Sequence, residues 1–172
     1  MQNPSHSFAH FTLSPTDAPM YPVLNLPPAE LRIRPRPDGS QEVFDFLRRR
    51  YVKLTPEEWV RQHFVHFLVE HKHFPAGLLG NEVSLTLHGA TRRCDSLLFD
   101  QKGARPRLIV EYKAPTVPVT QEVFAQIQAY NSVLRADYLI VSNGLTHYVC
   151  HLDYDARKAD FLTDIPDYSE LR

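Results

Sequence analysis

Residues 92–115, RRCDSLLFDQKGARPRLIVEYKAP, decide the fold because they hold two strand-like runs on either side of a turn. The first run covers residues 94–99, and the turn signal DQKG follows at residues 100–103. The second run, RLIVEYK at residues 107–113, is rich in β-branched and apolar residues and predicts a central strand. Because a tight turn brings its flanks together, the two runs are predicted to pair as antiparallel neighbours.

Charged side chains fall at matching places on these two predicted strands. Glu111 and Lys113 are two residues apart and therefore point to the same face, and Asp95 on the preceding strand can lie opposite Glu111. Two carboxylates held close together repel each other unless a divalent cation lies between them. A lysine beside them can orient a water molecule and stabilise charge on a phosphate oxygen. The spacing therefore predicts a metal-dependent site on this face.

A helix is predicted before these strands, over LTPEEWVRQHFVHFLVEHK at residues 54–72. Thr55 is suited to the N-cap and Pro56 to the first helical position, and Glu58 three residues after the cap completes a capping-box pattern. Apolar residues recur at helical spacing and predict one stripe that faces a core. The stripe consists of Val60, Phe64, Phe67 and Leu68.

The remaining elements follow from the same kinds of pattern. Residues 82–87 alternate apolar and polar side chains and predict a strand, and Thr120 caps a second helix that runs to about residue 134. Two further strands, at residues 138–142 and 145–152, are joined by Asn143 and Gly144, a strong hairpin signal. The order of helix, three strands, helix and two strands predicts an α/β sandwich with a mixed sheet.

Composition and chain length bound the class of protein. The 172 residues are 43% hydrophobic and 23% charged, which is typical of one soluble globular domain. The formal net charge of −1 leaves DNA open as a partner, because a nearly neutral protein can still carry a local basic patch. Neither a signal peptide nor a run of about 18 apolar residues is present, so we expect a cytoplasmic protein without a membrane segment.

Prolines mark the N-terminal region. Eight of the 14 prolines fall within the first 37 residues, where they remove backbone donors and favour an extended chain. We therefore predict a flexible tail over residues 1–23 and one folded domain over residues 24–172. Residues 41–50, QEVFDFLRRR, predict either a short strand or a short helix that leads into the domain. Cys94 and Cys150 have no metal-ligand spacing and are expected to be reduced core thiols.

The charged residues of the two central strands resemble a known nuclease signature. RRCDSLLFD followed by LIVEYKAP is similar to the PD-(D/E)XK pattern, with Asp95 as the first acid and residues 111–113 as the E-X-K. Together with LTPEEWVRQHF and the QxxxY motif of Gln126 and Tyr130, residues 24–168 resemble the N-terminal nuclease domain of type I restriction enzyme R subunits. The resemblance implies a restriction-endonuclease-like three-layer sandwich, in which helices flank a central mixed sheet.

The resemblance also implies an activity and a set of site residues. Asp95 and Glu111 would bind Mg²⁺, which Mn²⁺ can replace, with help from the Tyr112 carbonyl, and Lys113 would position the attacking water. The reaction would be endonucleolytic hydrolysis of phosphodiester bonds in DNA. The helices would supply three further catalytic residues, Glu58, Gln126 and Tyr130.

The sequence departs from the family pattern in two ways. Cys94 stands where the pattern has proline, which such families tolerate. The chain has only six glycines and lacks GxxxxGK[ST], so the ATP-driven translocase of a complete R subunit is missing from it. A separate ATPase or translocase subunit is therefore one expected partner. A homodimer is another, since double-strand cleavage needs two active sites.

Structural alternatives exist for the helical residues. Glu58 could serve only as a capping residue, and Gln126 and Tyr130 could be ordinary helix residues. His63 and His66 share a helical face with a following glutamate, which leaves a zinc site or plain exposed histidines open.

Alternatives also exist for the strand residues and for the function. Glu111 and Lys113 could form a surface ion pair. The basic runs at residues 48–50 and 92–93 could either steer a phosphate backbone or form a solvated face. The alternative function is a non-catalytic nucleic-acid- or protein-binding module that keeps the nuclease fold within a restriction or defence complex.

Overall fold

The described part of the chain forms two β-sheets and two α-helices. The computed structural model covers residues 21–87, 89–102 and 105–171, without the side chains of residues 87, 90, 92, 126, 129, 130 and 133. The helices are α1 (Pro56–Glu70) and α2 (Gln121–Leu134), and short 3-10 turns cover Ala76–Leu78 and Tyr168–Glu170. The strands are β1 (Ile33–Pro35), β2 (Gln41–Asp45), β3 (Arg50–Lys53), β4 (Leu79–Leu87), β5 (Ala90–Phe99), β6 (Pro106–Tyr112), β7 (Tyr138–Ser142), β8 (His147–Asp153) and β9 (Lys158–Leu162).

The larger sheet has the strand order β4-β5-β6-β7-β8-β9. Its neighbouring strands are antiparallel except for β6 and β7, which are parallel. A parallel pair needs a long crossover connection, and α2 lies within it. The predicted α/β fold with a mixed sheet is therefore confirmed. The sequence pattern does not predict β9, because KADFL is largely exposed on both faces and has no apolar alternation.

The two helices pack on opposite faces of this sheet. Neighbouring residues of β6 point to opposite faces, and Val110 belongs to the apolar cluster of α1 whereas Ile109 belongs to that of α2. Burying a large aliphatic or aromatic side chain contributes about 1.5–3 kcal/mol relative to leaving it exposed. Both faces of the sheet are thus held by apolar packing. The buried helix residues are Val60, Phe64 and Leu68 of α1 and Phe124, Ile127 and Leu134 of α2.

Both helices begin at the predicted N-cap residues. The Thr55 hydroxyl accepts a hydrogen bond from the Glu58 backbone N–H at 3.1 Å, and Pro56 occupies the first helical position. A capping box also requires the Glu58 carboxylate to accept from the Thr55 backbone N–H. That part of the prediction is wrong, because the carboxylate accepts hydrogen bonds from side chains elsewhere. Thr120 is the N-cap of α2, but its side chain makes no capping hydrogen bond to the described N-terminal turn.

The smaller sheet is antiparallel and has the order β1-β2-β3. Residues 41–50 therefore form a strand and a turn, which excludes the helical alternative for them. Val43 and Asp45 are fully buried on the inner side of β2. On the other side, the rings of Phe44 and Tyr51 lie edge to face with their centroids 5.2 Å apart.

The hairpin between β7 and β8 is the one that Asn-Gly predicts. The Asn143 Oδ1 accepts hydrogen bonds from the backbone N–H groups of Leu145 at 3.0 Å and Thr146 at 2.8 Å. Gly144 has φ of +82°, a left-handed conformation that favours glycine. The following strand begins at His147, two residues later than predicted.

The described chain begins with contacts to α1. The Tyr21 ring stacks on Trp59 with centroids 5.5 Å apart, and the Trp59 Nε1–H donates to the Pro22 carbonyl at 3.2 Å. Leu24 is 9% exposed and belongs to the α1 cluster. Most of the predicted tail, residues 1–20, lies outside the described residues. Neither described helix is long and apolar enough to cross a membrane.

Candidate active site

The candidate site lies where β5 and β6 run side by side. Ser96 pairs with Val110 in the antiparallel register. Asp95 and Glu111 are the next residues along the two strands, and the charge of Asp95 acts on Glu111. The Lys113 Nζ lies 3.1 Å from the Glu111 Oε1, just beyond the end of β6. The structure therefore brings together the two carboxylates and the lysine that the sequence spacing selects.

Asp95 is fixed by one hydrogen bond to each carboxylate oxygen. Its Oδ2 accepts from the Tyr112 backbone N–H at 2.8 Å, and its Oδ1 accepts from the Arg61 Nη2 at 2.9 Å. Tyr112 is fully buried, and its hydroxyl donates to the Ser96 Oγ at 3.1 Å. The E-X-K segment thus positions Asp95 through its own backbone, in addition to carrying Glu111 and Lys113.

Asp95 is close enough to two glutamates for its charge to raise their proton affinity. Burial and then the charge of Asp95 raise the pKa of Glu111 above its ordinary value, although Lys113 opposes the shift. Burial and the same aspartate also raise the pKa of Glu57, at the start of α1. Burial, together with Glu111 and Asp95, raises the pKa of the buried Cys94 thiol to about 11, which keeps it protonated. A divalent cation would relieve this concentration of negative charge.

Arg61 is a central residue of the site that no motif in the sequence indicates. It is 3% exposed, and its guanidinium forms ion pairs with Glu58, with Glu82 at 2.8 Å and with Asp95 at 2.9 Å. Burial alone would lower the pKa of Arg61, but these carboxylates raise it above its ordinary value. Glu57 and Glu58 lie four and three residues before Arg61, a spacing that indicates pairing within one helix. That signal does not extend to residues on β4 and β5.

The predicted catalytic acid Glu58 faces this ion-pair network. Its Oε1 accepts from the Arg48 Nη2 and the Gln62 Nε2, both at 2.8 Å, and its Oε2 accepts from Arg61. It reaches Asp95 only through the Arg61 guanidinium. The structure therefore places Glu58 beside the Asp95–Glu111 pair rather than within it.

The QxxxY residues, Gln126 and Tyr130, both lie in α2. Their side chains are outside the described part of the structure, so their catalytic role stays a prediction from the resemblance.

The donor atoms fit a hard cation such as Mg²⁺. In the described residues, no group of three or more histidine, cysteine, aspartate or glutamate side chains is arranged as a metal site. Mg²⁺ does not require such a group, because it is commonly held by one or two carboxylates while it keeps several water ligands. Asp95, Glu111 and the Tyr112 carbonyl offer the oxygen donors that such binding uses. Each Asp95 oxygen accepts one described hydrogen bond and has a second lone pair.

The described residues of α1 do not supply the group of three or more ligands that the zinc alternative needs. The His63 Nδ1 lies 3.0 Å from the Trp59 carbonyl oxygen, and the His66 Nδ1 lies 2.7 Å from the Glu70 Oε1. The two rings thus have separate partners within the helix.

A surface pocket of about 490 Å³ lies away from these carboxylates. It is lined by the first turn of α2 and by β8 and β9, and includes Phe124, Tyr148 and Phe161. It contains none of the clustered ionisable groups whose pKa values are shifted by like charge. Charge clustering is a better indication of phosphodiester chemistry than pocket volume, so we place the site at β5 and β6.

Comparison with known proteins identifies the family. The family described as the type I restriction enzyme R protein N terminus matches residues 56–166, more than half of the chain. A solved fragment assigned to an HsdR subunit of a type I restriction enzyme from Vibrio vulnificus YJ016 superposes with a TM-score of 0.51 and 22% sequence identity. The match covers 69% of this chain and 24% of that one, so this chain spans about a quarter of its length, and at this identity the likeness concerns the fold. No curated protein matches the chain significantly. On the family match, the chain belongs to the type I restriction enzyme R protein N-terminal family.

Proposed function

We propose that this chain is a Mg²⁺-dependent endonuclease domain that hydrolyses phosphodiester bonds in DNA. The observation that carries the proposal is the juxtaposition of Asp95, Glu111 and Lys113 just beyond the last paired residues of β5 and β6. Burial and like charge raise the pKa of Glu111, which is the signature of carboxylates held together against their repulsion. A purely structural surface pair would not need the second carboxylate.

Each residue has a defined task in the proposed reaction. Asp95, Glu111 and the Tyr112 carbonyl would hold Mg²⁺, or Mn²⁺ in its place. The bound cation would polarise the scissile phosphate and make hydroxide available near neutral pH. Lys113 holds the attacking water and balances charge on the phosphate, and its contact with Glu111 keeps the ammonium group in position. Cleavage leaves a 3′ hydroxyl.

The fold supports the finer classification as a restriction-endonuclease-like three-layer sandwich. One helix packs on each face of the mixed sheet, and the candidate site lies where the pairing of β5 with β6 ends. The proposed partners are DNA, the other subunits of a type I complex, a separate ATPase or translocase, and a second copy of the chain. The proposed location is the cytoplasm.

One observation favours the non-catalytic alternative, a DNA-binding module. Arg61 already provides a positive charge at the Asp95 Oδ1, so the aspartate has a counter-ion without any metal. A site that had lost its metal would be stabilised in this way. The two functions differ in one measurable respect, because only the nuclease cuts.

Nicking and linearisation of supercoiled plasmid with Mg²⁺, then Mn²⁺, then EDTA tests the proposal. We expect Glu111→Ala to lose both cleavage and metal binding measured by calorimetry. Lys113→Ala should keep the metal and lose about 100- to 1000-fold in rate, the scale of removing one preorganised charge. Lys158→Ala, which removes an exposed lysine paired with Asp160 on β9, is the matched control and should cut normally.

Two outcomes would contradict the proposal. Wild-type protein that binds DNA but cuts it with neither metal would favour the binding module. Cleavage that survives Glu111→Ala would place the active site elsewhere in the chain.

A further inference from the structure

We propose that the arginine turn, defined as residues 46–50 and consisting of the β2–β3 turn and the first residue of β3, docks the phosphate backbone of DNA beside the Asp95–Glu111 site. This inference rests on the proposed function, because it takes DNA as the ligand. It adds a second surface that binds the same molecule without taking part in bond cleavage.

The structure separates the arginines of this turn into two kinds. The Arg48 guanidinium donates its Nε to Asp45 at 2.5 Å and its Nη2 to Glu58 at 2.8 Å, and its side chain is only 15% exposed. Arg48 is therefore committed to internal ion pairs. Arg49 and Arg50 are exposed, and within the described residues no carboxylate lies in ion-pair distance of either guanidinium. These two charges remain available to an external anion.

The second basic run that the sequence contains does not offer the same opportunity. Arg93 forms an ion pair with Glu82, which in turn pairs with Arg61. The side chain of Arg92 lies outside the described part of the structure. The observations therefore favour residues 49 and 50 as the phosphate contacts.

The arginine turn has a fixed conformation. Asp45 is fully buried and accepts hydrogen bonds from the Arg48 backbone N–H and from the Asn81 Nδ2, both at 2.8 Å. Although burial alone would raise the pKa of Asp45, these hydrogen bonds hold it below its ordinary value, so the carboxylate stays charged. Arg49 has φ of +53°, in the left-handed region, which sets the direction of its Cα–Cβ bond at the turn. A preorganised contact loses little conformational entropy when it binds.

Two chains of contacts place the turn beside the candidate active site. The first consists of ion pairs and runs from Arg48 through Glu58 and Arg61 to Asp95. The second consists of hydrogen bonds from Asp45 to Asn81 and from Asn81 to Ser96 at 2.6 Å, and Ser96 is the neighbour of Asp95 in β5. DNA with a phosphate at Asp95 would therefore have further phosphates near the turn.

The charge of this region is complementary to DNA. Residues 21–53 contain seven basic and four acidic side chains, whereas the whole chain has a net charge of −1. A local excess of positive charge on a nearly neutral protein attracts a phosphate backbone without sequence preference. The basic residues are Arg32, Arg34, Arg36, Arg48, Arg49, Arg50 and Lys53.

Salt dependence of DNA binding tests the docking turn. Fluorescence anisotropy of a fluorescein-labelled 20-base-pair duplex is measured in EDTA, at KCl concentrations from about 50 to 200 mM, so that no cleavage occurs. The test protein is the double variant Arg49→Gln/Arg50→Gln. The matched control is Arg157→Gln, since Arg157 is also exposed and has φ of +53°, but lies in the turn between β8 and β9.

We expect the double variant to bind more weakly and with a shallower salt dependence. Each phosphate contact contributes about 0.9 to the slope of log K against log salt, so losing two reduces the slope by about 2. The loss of affinity between 50 and 200 mM should then be about tenfold smaller than for the wild type. Arg157→Gln should keep the wild-type slope, and unchanged melting temperatures show that the variants are folded.

The outcomes distinguish this proposal from the nuclease proposal. An unchanged slope in the double variant overturns the proposal that the arginine turn docks DNA. Plasmid cleavage by the wild type would still support the nuclease proposal in that case. Weakened, less salt-dependent binding in the double variant supports the docking turn even if the wild type never cuts. If the wild type does not bind the duplex at the lowest salt concentration, the proposal that the arginine turn docks DNA is overturned.

Discussion

Arg61 is the residue on which the most charged contacts converge. Its buried guanidinium pairs with the carboxylates of Glu58, Glu82 and Asp95. Glu58 and Glu82 each have a second arginine partner, whereas Arg61 is the described ion-pair partner of Asp95. Removing one partner of a buried ion pair typically costs about 3–5 kcal/mol, because the other charge is left uncompensated. At the residue scale, Arg61 therefore links the stability of the fold to the geometry of the site.

Replacement of Arg61 tests this link. We expect Arg61→Met to lower the free energy of unfolding by about 3–5 kcal/mol in urea denaturation. Arg105→Met is the matched control, because Arg105 is half-exposed in its pair with Asp137 and such pairs contribute about 1 kcal/mol or less. Equal small losses in both variants would contradict the central role of Arg61.

Sequence spacing predicts some site residues and not others. Asp95, Glu111 and Lys113 could be selected because strand alternation and a short turn fix which side chains meet across two neighbouring strands. Arg61, Glu57 and Glu82 could not, because their contacts join α1 to β4 and β5, and helix-to-sheet packing is not encoded in local periodicity. The role of Glu58 could not be predicted for a similar reason, because its partner Arg48 lies in a turn ten residues earlier.

At the element scale, His147 joins β8 to the N-terminal segment. Its Nδ1 lies 2.8 Å from the Ser142 Oγ and its Nε2 lies 2.9 Å from the Asn25 carbonyl oxygen, an arrangement that a neutral ring satisfies. Burial lowers the pKa of His147 below its ordinary value. The unfolded chain therefore takes up a proton at higher pH than the folded one, and stability is lost as the pH falls below about 6.5, the unperturbed histidine value.

This pH dependence is open to measurement. We expect the free energy of unfolding of the wild type to fall between about pH 7.5 and pH 5.5, and the fall to be smaller in His147→Gln, which cannot be protonated. His71→Gln, which replaces an exposed histidine, is the control. Its free energy of unfolding should fall over this pH range as that of the wild type does. If His147→Gln and wild type lose the same stability, the buried histidine is not the group responsible.

The β7–β8 hairpin depends on Gly144 for a second reason besides its φ. A Cβ atom there would lie 2.7 Å from the Leu24 Cδ2 and 3.2 Å from the Val60 Cγ2. Gly144→Ala should therefore cost about 1–3 kcal/mol from strain and a further amount of similar size from overpacking. Gly39→Ala is the matched control, since Gly39 has φ of +80° but nothing within 4 Å of the added Cβ. If urea denaturation shows that the two variants lose the same free energy of unfolding, the close contact at Gly144 is unimportant.

Elements differ in how far the sequence determines them. The Asn-Gly hairpin and the start of α1 follow from turn and capping chemistry, which is local. Thr120 marks the start of α2 without a side-chain capping hydrogen bond to the described turn. Among the described strands, β9 pairs only with β8, and it buries little, so no apolar pattern indicates it. Residues 41–50 are ambiguous in sequence because β2 is short, and its conformation depends on pairing with both β1 and β3.

At the scale of the whole molecule, the described contacts of the N-terminal segment predict where truncation begins to matter. Deleting residues 1–20 should leave the melting temperature unchanged. Deleting residues 1–26 also removes the Tyr21 ring from Trp59 and Leu24 from the α1 cluster. Losing a buried leucine at about 1.5–3 kcal/mol should lower the melting temperature by roughly 4–10 °C in a chain of this size. A loss of several degrees on deleting only residues 1–20 would contradict the predicted tail.

The order of the elements along the chain predicts the overall architecture. Helix, three strands, helix and two strands admit few arrangements, because α2 can cross over only between parallel neighbours and the short turns force antiparallel ones. The small N-terminal sheet is less predictable, since its inner face is fixed by the buried Asp45 and its contacts with Arg48 and Asn81. The contact with Asn81 joins β2 to β4 across 36 residues of sequence, so local periodicity does not predict it.

The most direct test of the central claim is to locate a bound metal. Crystals of the wild-type protein are soaked with Mn²⁺, and anomalous scattering is measured at the Mn absorption edge. The proposed function predicts an anomalous peak between the Asp95 and Glu111 carboxylates, within coordination distance of both, and no such peak in Glu111→Ala crystals. The absence of a peak there in well-ordered wild-type crystals would contradict the claim that these carboxylates form a metal-dependent nuclease site.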